Sequence, residues 1–244
     1  MPKEETIDSE ISMTFRKGLQ LMAAFDGQDR QLTLSELAKK TGLNRSVARR
    51  LVRTLVQMGY LAEQGQRYEM TVCVMRMTRG FIDGRRIAQV IQPNLRKAAG
   101  QIGESLSFSL RDREDATYVA HAHLEGKFTL NTVAIGTHVP LHSTAAGHAI
   151  LAHLDRADVL ATLSEISPEL DADLQLTRAR GFAFNSGGFI HGVDSLAVPV
   201  FGPTRQIEGA VSMIFPTHTY DAAALPPNML TLMQQCAVDI GATL

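Results

Sequence analysis

The chain has 244 residues, enough for two domains, and 45% of them are hydrophobic and 20% charged, as in ordinary globular proteins. It lacks an apolar run of about 20 residues and begins with an acidic segment, so we expect neither a membrane span nor a signal peptide, and a cytoplasmic protein. The two cysteines lie far apart without a Cys-x-x-Cys spacing, which argues against a zinc site, and no cofactor is expected.

The net charge of −1 hides two parts of opposite sign. Residues 1–92 contain 15 Lys and Arg against 10 Asp and Glu, a net charge of +5, whereas residues 93–244 contain 9 against 15, a net charge of −6. A basic part favours contact with phosphates, so only the first part is expected to bind nucleic acid.

Two helices joined by a tight turn are predicted over residues 32–61. Thr33 and Glu36 form a capping box at the start of the first helix, and Gly42 ends it. Asn44 is a favourable N-cap for the second helix. A preceding helix, over residues 11–25, is predicted to turn Phe15 and Leu19 toward the same core.

The second of the two helices has one apolar and one basic face. Its apolar stripe is predicted to consist of Val47, Leu51, Leu55 and Met58. The opposite face contains four arginines and a serine, with no acidic residue from 44 to 62, a pattern that favours binding in the major groove over a merely solvated face. Residues 60–71 predict a hairpin with its turn at 64–66, so the unit is a winged helix–turn–helix. The candidate DNA-binding residues are Arg45, Ser46, Arg49, Arg50 and Arg53 from the helix and Arg67 from the wing.

Four segments follow from the predicted elements. They are a disordered tail at 1–10, the winged helix–turn–helix at 11–75, a linker helix at 76–92 and a second domain at 93–244. The helical stretch around the linker is expected to break near Gly84 and at Pro93. Two interpretations of the linker remain open: a plain connector, or a helix that also pairs two subunits.

The second domain alternates polar and apolar residues from Ser105 onward. Two strands joined by a charged turn at 112–115, an extended run at 130–136 and later strands are separated by helices, and a proline-initiated helix closes the chain. The fold class is therefore α+β, with one antiparallel sheet flanked by helices.

Residues 136–152, GTHVPLHSTAAGHAILA, place small side chains at the start of a predicted helix. Backbone amides and the positive end of the helix dipole there favour a bound carboxylate. The alternative is a tight contact between helix and sheet that requires small residues.

Evidence for catalysis or a metal is weak in this sequence. The motifs GxGxxG, Walker A, HExxH and GxSxG are absent. His121 and His123 share a strand face, and four further histidines lie between 138 and 153, but their spacing completes no tetrahedral set. We therefore expect no catalytic and no metal-binding residues.

The whole chain from residue 11 onward resembles the IclR family of bacterial transcriptional regulators. The first domain matches in FRKGLQLMAAF, LTLSELAKKTGLNRSVARRLVRTLVQMGYL and YEMT, and the second in DATYVAHA, the 136–152 block, RARGFAF and GVDSLAVPV. The resemblance implies a GAF-like second domain that binds an effector and oligomerises. It also implies a homodimer or dimer of dimers that binds double-stranded promoter DNA. The implied partner is a small-molecule effector that carries a carboxylate, and the implied target is a catabolic operon such as one for aromatic acids.

Matching of motifs also implies which residues bind the effector. They are His142, Thr144, Ala145, Ala146, Asn185, Val193 and Ser195. One departure is the segment NSGGFIHG at 185–192, where the family usually carries acidic residues. This departure should ease binding of an anion or change which anion is bound. The alternatives kept open are a metal-responsive regulator and an enzyme with a fused DNA-binding domain.

Overall fold

A computed structural model describes residues 10–26, 29–130 and 133–244 of the chain. These residues form two compact units, of which the first ends at Phe81 and the second begins at Ile82. The predicted tail at 1–10 lies almost wholly outside the described residues. No helix within the described ranges is long and apolar enough to cross a membrane.

The first unit is a winged helix–turn–helix, as predicted. Its elements are α1 (Met13–Met22), β1 (Gln31–Thr33), α2 (Leu34–Thr41), α3 (Arg45–Gln57), β2 (Leu61–Gln64) and β3 (Arg67–Met70), and the unit ends within α4 (Met75–Gly84). The three strands form an antiparallel sheet in the order β1-β3-β2. Strand β1 was not expected, because three residues are too few to show an alternating pattern and the strand exists only through its pairing with β3.

The ends of the two central helices follow the predicted chemistry. The Thr33 hydroxyl accepts from the amide of Glu36 and the Glu36 carboxylate accepts from the amide of Thr33. Gly42 ends α2 with a φ of 67°, a left-handed conformation that glycine adopts without a steric penalty. The Asn44 side chain accepts from the amide of Val47 and caps α3.

The core of this unit corrects two expectations. On α3 the fully buried residues are Ala48 and Val52, each one position after a residue of the predicted stripe. Met58, the last residue of that stripe, is 60% exposed. On α1 only Leu21 is buried, whereas Phe15 is 68% and Leu19 46% exposed. Both helices thus carry more apolar surface than this core can cover.

The predicted linker segment is not one helix. After α4 ends at Gly84, Arg86 adopts a φ of 50° and a π-helical turn, Ile87–Ile91, leads directly into α5 (Gln92–Ile102). The break near Gly84 is confirmed. Pro93 does not break the helix, because it lies in the first turn of α5, where the missing amide hydrogen is not needed.

The second unit is built on one antiparallel sheet of six strands, in the order β6-β5-β4-β9-β8-β7. The strands are β4 (Leu106–Asp112), β5 (Asp115–Ala122), β6 (His138–Pro140), β7 (Ala183–Ser186), β8 (Val193–Phe201) and β9 (Ile207–Pro216). The helices that follow α5 are α6 (Ala145–Leu151), α7 (Arg156–Leu163), α8 (Pro168–Arg180) and α9 (Pro227–Gly241). The extended run expected at 130–136 falls partly outside the described residues, and its described part forms no strand.

Helices cover both faces of this sheet. Alternate strand residues, among them Phe108, Val198 and Val211, pack with α5 and α9. Their neighbours Ala197 and Ala210 point the other way and pack with α6, α7 and α8. Because side chains along a strand alternate between faces, the small residues sit together on the α6 side and let that helix approach the sheet closely.

Candidate functional site

The basic face of α3 is exposed in the first unit. Arg45, Ser46, Arg49, Arg50 and Arg53 are all exposed, and within the described ranges none of the four arginines forms an ion pair. The Ser46 hydroxyl donates to Asn44 Oδ1 at 2.8 Å. A helix whose arginines are not paired with acidic residues is suited to bind DNA phosphates and the edges of guanine bases.

Arg67 on the wing differs from these four. Its Nη1 donates to the carbonyl oxygen of Gln31 at 3.0 Å and lies 3.7 Å from a carboxylate oxygen of Glu36. The guanidinium therefore joins β3 to β1 and to the cap of α2, and it would have to leave these partners to bind DNA.

A groove of about 710 Å³ separates α3 from the wing. Arg49 and Arg53 line it on one side and Tyr68 and Glu63 on the other, and the Tyr68 hydroxyl donates to Glu63 Oε1 at 3.0 Å. Burial and this hydrogen bond raise the pKa of Tyr68. Sequence reasoning missed both wing residues, because their proximity to α3 depends on how the hairpin packs.

The second unit contains a cavity of about 230 Å³ beside the start of α6. A volume somewhat below the ~300–1,000 Å³ of typical ligand pockets fits a small metabolite. Six of the seven expected effector-binding residues line it: Thr144, Ala145, Ala146, Asn185, Val193 and Ser195. The other lining residues are Tyr118, Leu130, Val133, Thr137, His138, Val139, Phe189, Ile190, Ser212 and Ile214.

Strand alternation explains much of this lining. Ala197 and Ala210 contact the helices of the α6 face, and Ser195, Ser212 and Ile214 lie two or four residues away along the same strands, so they share that face. Tyr118 stands in the same relation to buried Ala116. The alternating pattern could have identified Tyr118 and Ser212 from the sequence once the α6 face was known.

Hydrogen bonds hold the residues before α6 to the preceding turn and to strand β8. The Thr144 hydroxyl donates to the Pro140 carbonyl at 2.8 Å and accepts from the amide of Gly147 at 3.1 Å. The amide of Ala145 donates to Ser195 Oγ at 3.4 Å, a long bond that links the helix start to β8. A ligand beside Ala145 would therefore meet a backbone amide and a serine hydroxyl together.

The small residues at the start of α6 differ in what they contact. Ala145 and Ala146 line the cavity. Gly147 does not; a Cβ built there would lie 2.1 Å from the backbone oxygen of Leu141, far inside any allowed contact. The glycine is required because the helix packs directly on the turn at Leu141–Ser143.

His142 is the one expected effector-binding residue that the described cavity lining does not include. Its side chain is exposed and lies outside the cavity lining, because the 3₁₀ turn Leu141–Ser143 points it outward. Only its backbone is engaged: its carbonyl oxygen accepts from Nε2 of buried His148 at 2.9 Å. Burial lowers the pKa of His148, so this ring is held neutral as a structural donor.

The cavity lining is nearly free of charge. The described residues of the lining include no Lys, Arg, Asp or Glu, and the ring of His138 is hydrogen-bonded to Thr117 on the other face of the sheet. Burial raises the pKa of Tyr118, which keeps the phenol neutral. Asp194, the acidic residue of GVDSLAVPV, is buried outside the lining and accepts from Ser186 Oγ at 2.7 Å and Thr217 Oγ1 at 3.1 Å.

The histidines of the described residues are not grouped with other potential metal ligands. The described part of the chain contains no group of three or more His, Cys, Asp or Glu placed to hold one. His121 Nδ1 is instead hydrogen-bonded to Ser107 Oγ at 2.9 Å, and its ring stacks on His123 with centroids 6.2 Å apart.

Comparison with known proteins covers both units. The IclR helix-turn-helix domain matches residues 14–65, and the bacterial transcriptional regulator IclR C-terminal domain matches residues 80–242. The Pca regulon regulatory protein of Pseudomonas putida is 26% identical, over 85% of this chain and 76% of that protein. The p-hydroxybenzoate hydroxylase transcriptional activator of Acinetobacter baylyi is also 26% identical, over 97% of this chain and 93% of its own.

Solved structures agree on the fold. An IclR homologue from Microbacterium hydrocarbonoxydans, crystallised in complex with 4-hydroxybenzoate, has a TM-score of 0.80 at 17% identity, over 93% of this chain and 97% of its own. The family matches cover the first unit from α1 to the turn of the wing, and nearly all of the second unit. The chain therefore belongs to the IclR family of bacterial transcriptional regulators, with an N-terminal DNA-binding domain.

Proposed function

We propose that this regulator binds promoter DNA through α3 and the wing and that a small organic acid, bound in the cavity beside α6, changes its affinity for DNA. The observation that carries the proposal is the cavity itself: its lining is mostly apolar, and the described residues that form it include no acidic side chain. Because its target is the bacterial chromosome, the proposed place of action is the cytoplasm.

For DNA, the proposed contacts are Arg45, Ser46, Arg49, Arg50 and Arg53. Their exposure and the absence of acidic partners in the described part of the chain support this set. Arg67 is kept as a wing contact whose use requires release from Gln31 and Glu36.

An aromatic acid is the proposed class of effector. Apolar walls suit a ring, whereas the Ala145 amide and the Ser195 hydroxyl suit a carboxylate or hydroxyl group. The Acinetobacter relative activates expression of p-hydroxybenzoate hydroxylase, as its name states, and the Microbacterium homologue was crystallised with 4-hydroxybenzoate. Both support control of an aromatic catabolic operon here. We also propose that the ligand is bound without chemical conversion, so it should be recovered unchanged.

A thermal-shift screen of the full chain against small aromatic and aliphatic acids tests the proposal. A ligand at 100 times its Kd should stabilise the second unit by about 2.7 kcal/mol, which raises its melting temperature visibly. The hit should also change DNA affinity in an anisotropy assay. A bulky substitution, Ala146→Leu, should abolish the thermal shift while the protein still binds DNA.

Two outcomes would contradict this assignment. A folded protein that responds to no acid in the panel would exclude an organic-acid effector of that class. A shift that survives in Ala146→Leu would place the ligand elsewhere.

A further inference from the structure

The loop between β7 and β8, residues 187–192, forms one side of the cavity. Phe189 and Ile190 of this loop line the cavity, together with Asn185 near the end of β7 and Val193 at the start of β8. The loop is held against the strand ends, since the amide of Val193 donates to the Ile190 carbonyl at 3.1 Å. Its two apolar side chains are therefore part of the cavity lining.

Two glycines allow the chain to turn at the beginning of this loop. Gly187 has a φ of 63°, in the left-handed region, and its amide donates to the Val193 carbonyl at 3.0 Å. The amide of Gly188 donates to Asn185 Oδ1 at 3.0 Å, and a Cβ built at Gly188 would lie 2.4 Å from the same oxygen. Phe189 thus follows directly on a turn that is fixed to a residue of the cavity lining.

Phe189 differs from the other large apolar side chains of the described lining in its exposure. It is 48% exposed, whereas Tyr118 and Val139 are buried and Ile190 and Ile214 are half-buried. None of the ring contacts among the described residues involves Phe189. A ligand that covers this ring would remove apolar surface from water, which favours binding.

The register of the sheet relates this loop to the polar contact proposed for a carboxylate. Ser195 pairs with Asn185 on β7, and paired strands lie about 4.8 Å apart. The loop that contains Phe189 begins two residues after Asn185. A ligand with its carboxylate at Ala145 and Ser195 can therefore extend across Asn185 toward Phe189.

An aromatic side chain at this place distinguishes between kinds of ring. Two aromatic rings attract each other in offset or edge-to-face contact and gain free energy beyond the burial of their area, whereas a saturated ring of the same size gains only from burial. We propose that Phe189 packs against the ring of the effector and so selects aromatic acids over saturated acids of equal size. This inference rests on the proposed organic-acid effector.

Paired ligands separate the aromatic contact from charge and size. Isothermal titration of the full-length protein would compare benzoate, 4-hydroxybenzoate and phenylacetate, each beside its cyclohexane analogue, in wild type and in Phe189→Leu. Leucine keeps an apolar side chain but has no ring. We expect it to weaken binding of the aromatic acids roughly two- to tenfold, the range that aromatic pairs contribute, and to leave binding of the saturated acids nearly unchanged.

Two further variants complete the test. Phe189→Tyr keeps the aromatic ring and should retain the preference for aromatic acids. His191→Leu, at an exposed residue of the same loop outside the described lining, should behave as wild type and controls for a change in the loop as such. Circular dichroism of each variant checks that it is folded.

Failure of the inference is distinguishable from failure of the proposed function. If wild type binds an acid and Phe189→Leu weakens aromatic and saturated acids equally, or neither, Phe189 does not select the ring although the effector is an acid. If wild type binds none of the acids, the organic-acid effector and the role of Phe189 are both overturned.

Discussion

Arg49 lies where α3 faces the wing, and it shares a groove with Tyr68 and Glu63. It differs from Arg45, which does not line this groove, and its positive charge opposes the rise that burial causes in the pKa of Tyr68. Phosphate contacts position a protein on DNA, whereas base contacts specify the sequence, and a substitution distinguishes the two roles for Arg49.

We expect Arg49→Ala to weaken binding to a selected operator by about 1–3 kcal/mol and to relax preference at one base pair, since an arginine bound to guanine contributes about that much discrimination. The operator is obtained by selection from a random library with wild-type protein, and binding is measured by fluorescence anisotropy.

Arg96→Ala, at an exposed arginine of α5 in the second unit, makes the same change in net charge and should leave binding unaffected. Equal weakening by Arg49→Ala on selected and unrelated DNA would instead identify Arg49 as a phosphate contact.

At the scale of single elements, the recognition helix depends on the helix before it. The start of α2 is held by reciprocal hydrogen bonds between Thr33 and Glu36, and Arg67 approaches the same carboxylate from the wing. These contacts join α2 to the sheet. The residues that cap α2 therefore also connect this helix to strand β3 of the wing.

Thr33→Ala should reduce local stability of α2 by about 1 kcal/mol, because the orphan amide of Glu36 loses its acceptor. Hydrogen exchange read out on α2 peptides measures this loss. Thr33→Ser keeps the hydroxyl and should exchange nearly as slowly as wild type; equally fast exchange in both variants would show that the hydroxyl is not the cause.

The capping box also predicts a pH dependence. The hydrogen bonds from the Thr33 backbone and side chain lower the pKa of Glu36, and the charge of Arg67 does so to a smaller degree. A carboxyl whose pKa is lowered by folding stabilises the fold above its unfolded pKa, about 4.3, and loses that contribution as the pH falls through the folded value. Protection of α2 should therefore decline in acid, and more so in wild type than in Glu36→Gln.

At the scale of the whole molecule, the first unit carries an apolar surface that its own core does not cover. A groove of about 430 Å³ runs between α1, the end of α3 and α4, lined by Phe15, Leu19, Met58 and Met77 among others. Winged helix–turn–helix proteins commonly bind paired half-sites as dimers. We propose that this surface joins two subunits, which favours the pairing role of the linker over that of a plain connector.

The proposed pairing predicts that Phe15→Glu shifts the protein from dimer toward monomer, because a carboxylate in an apolar interface loses its hydration without a partner. Light scattering after size-exclusion chromatography measures the mass. Leu176→Glu, at a 51% exposed leucine of α8, should leave the mass unchanged. A Phe15→Glu protein that stays dimeric would assign subunit contact to another surface.

Local chemistry was sufficient to predict much of this fold. The caps at Thr33 and Asn44, the end of α2 at Gly42 and the alternation along β4 and β5 depend on neighbouring residues, so the sequence specifies them directly. The basic face of α3 is local as well, since residue spacing on a helix determines which side chains share a face.

Contacts between distant segments decided what sequence spacing left open. Leu21 is buried and Phe15 exposed on the same helix because the first-unit core covers only one side of it. Tyr118, Ser195 and Ser212 meet in one cavity because β5, β8 and β9 align their α6-facing residues, and His142 is excluded because a single 3₁₀ turn points it outward. Periodicity states which residues share a face, but only tertiary packing decides what that face contacts, because the contact joins residues far apart in the chain.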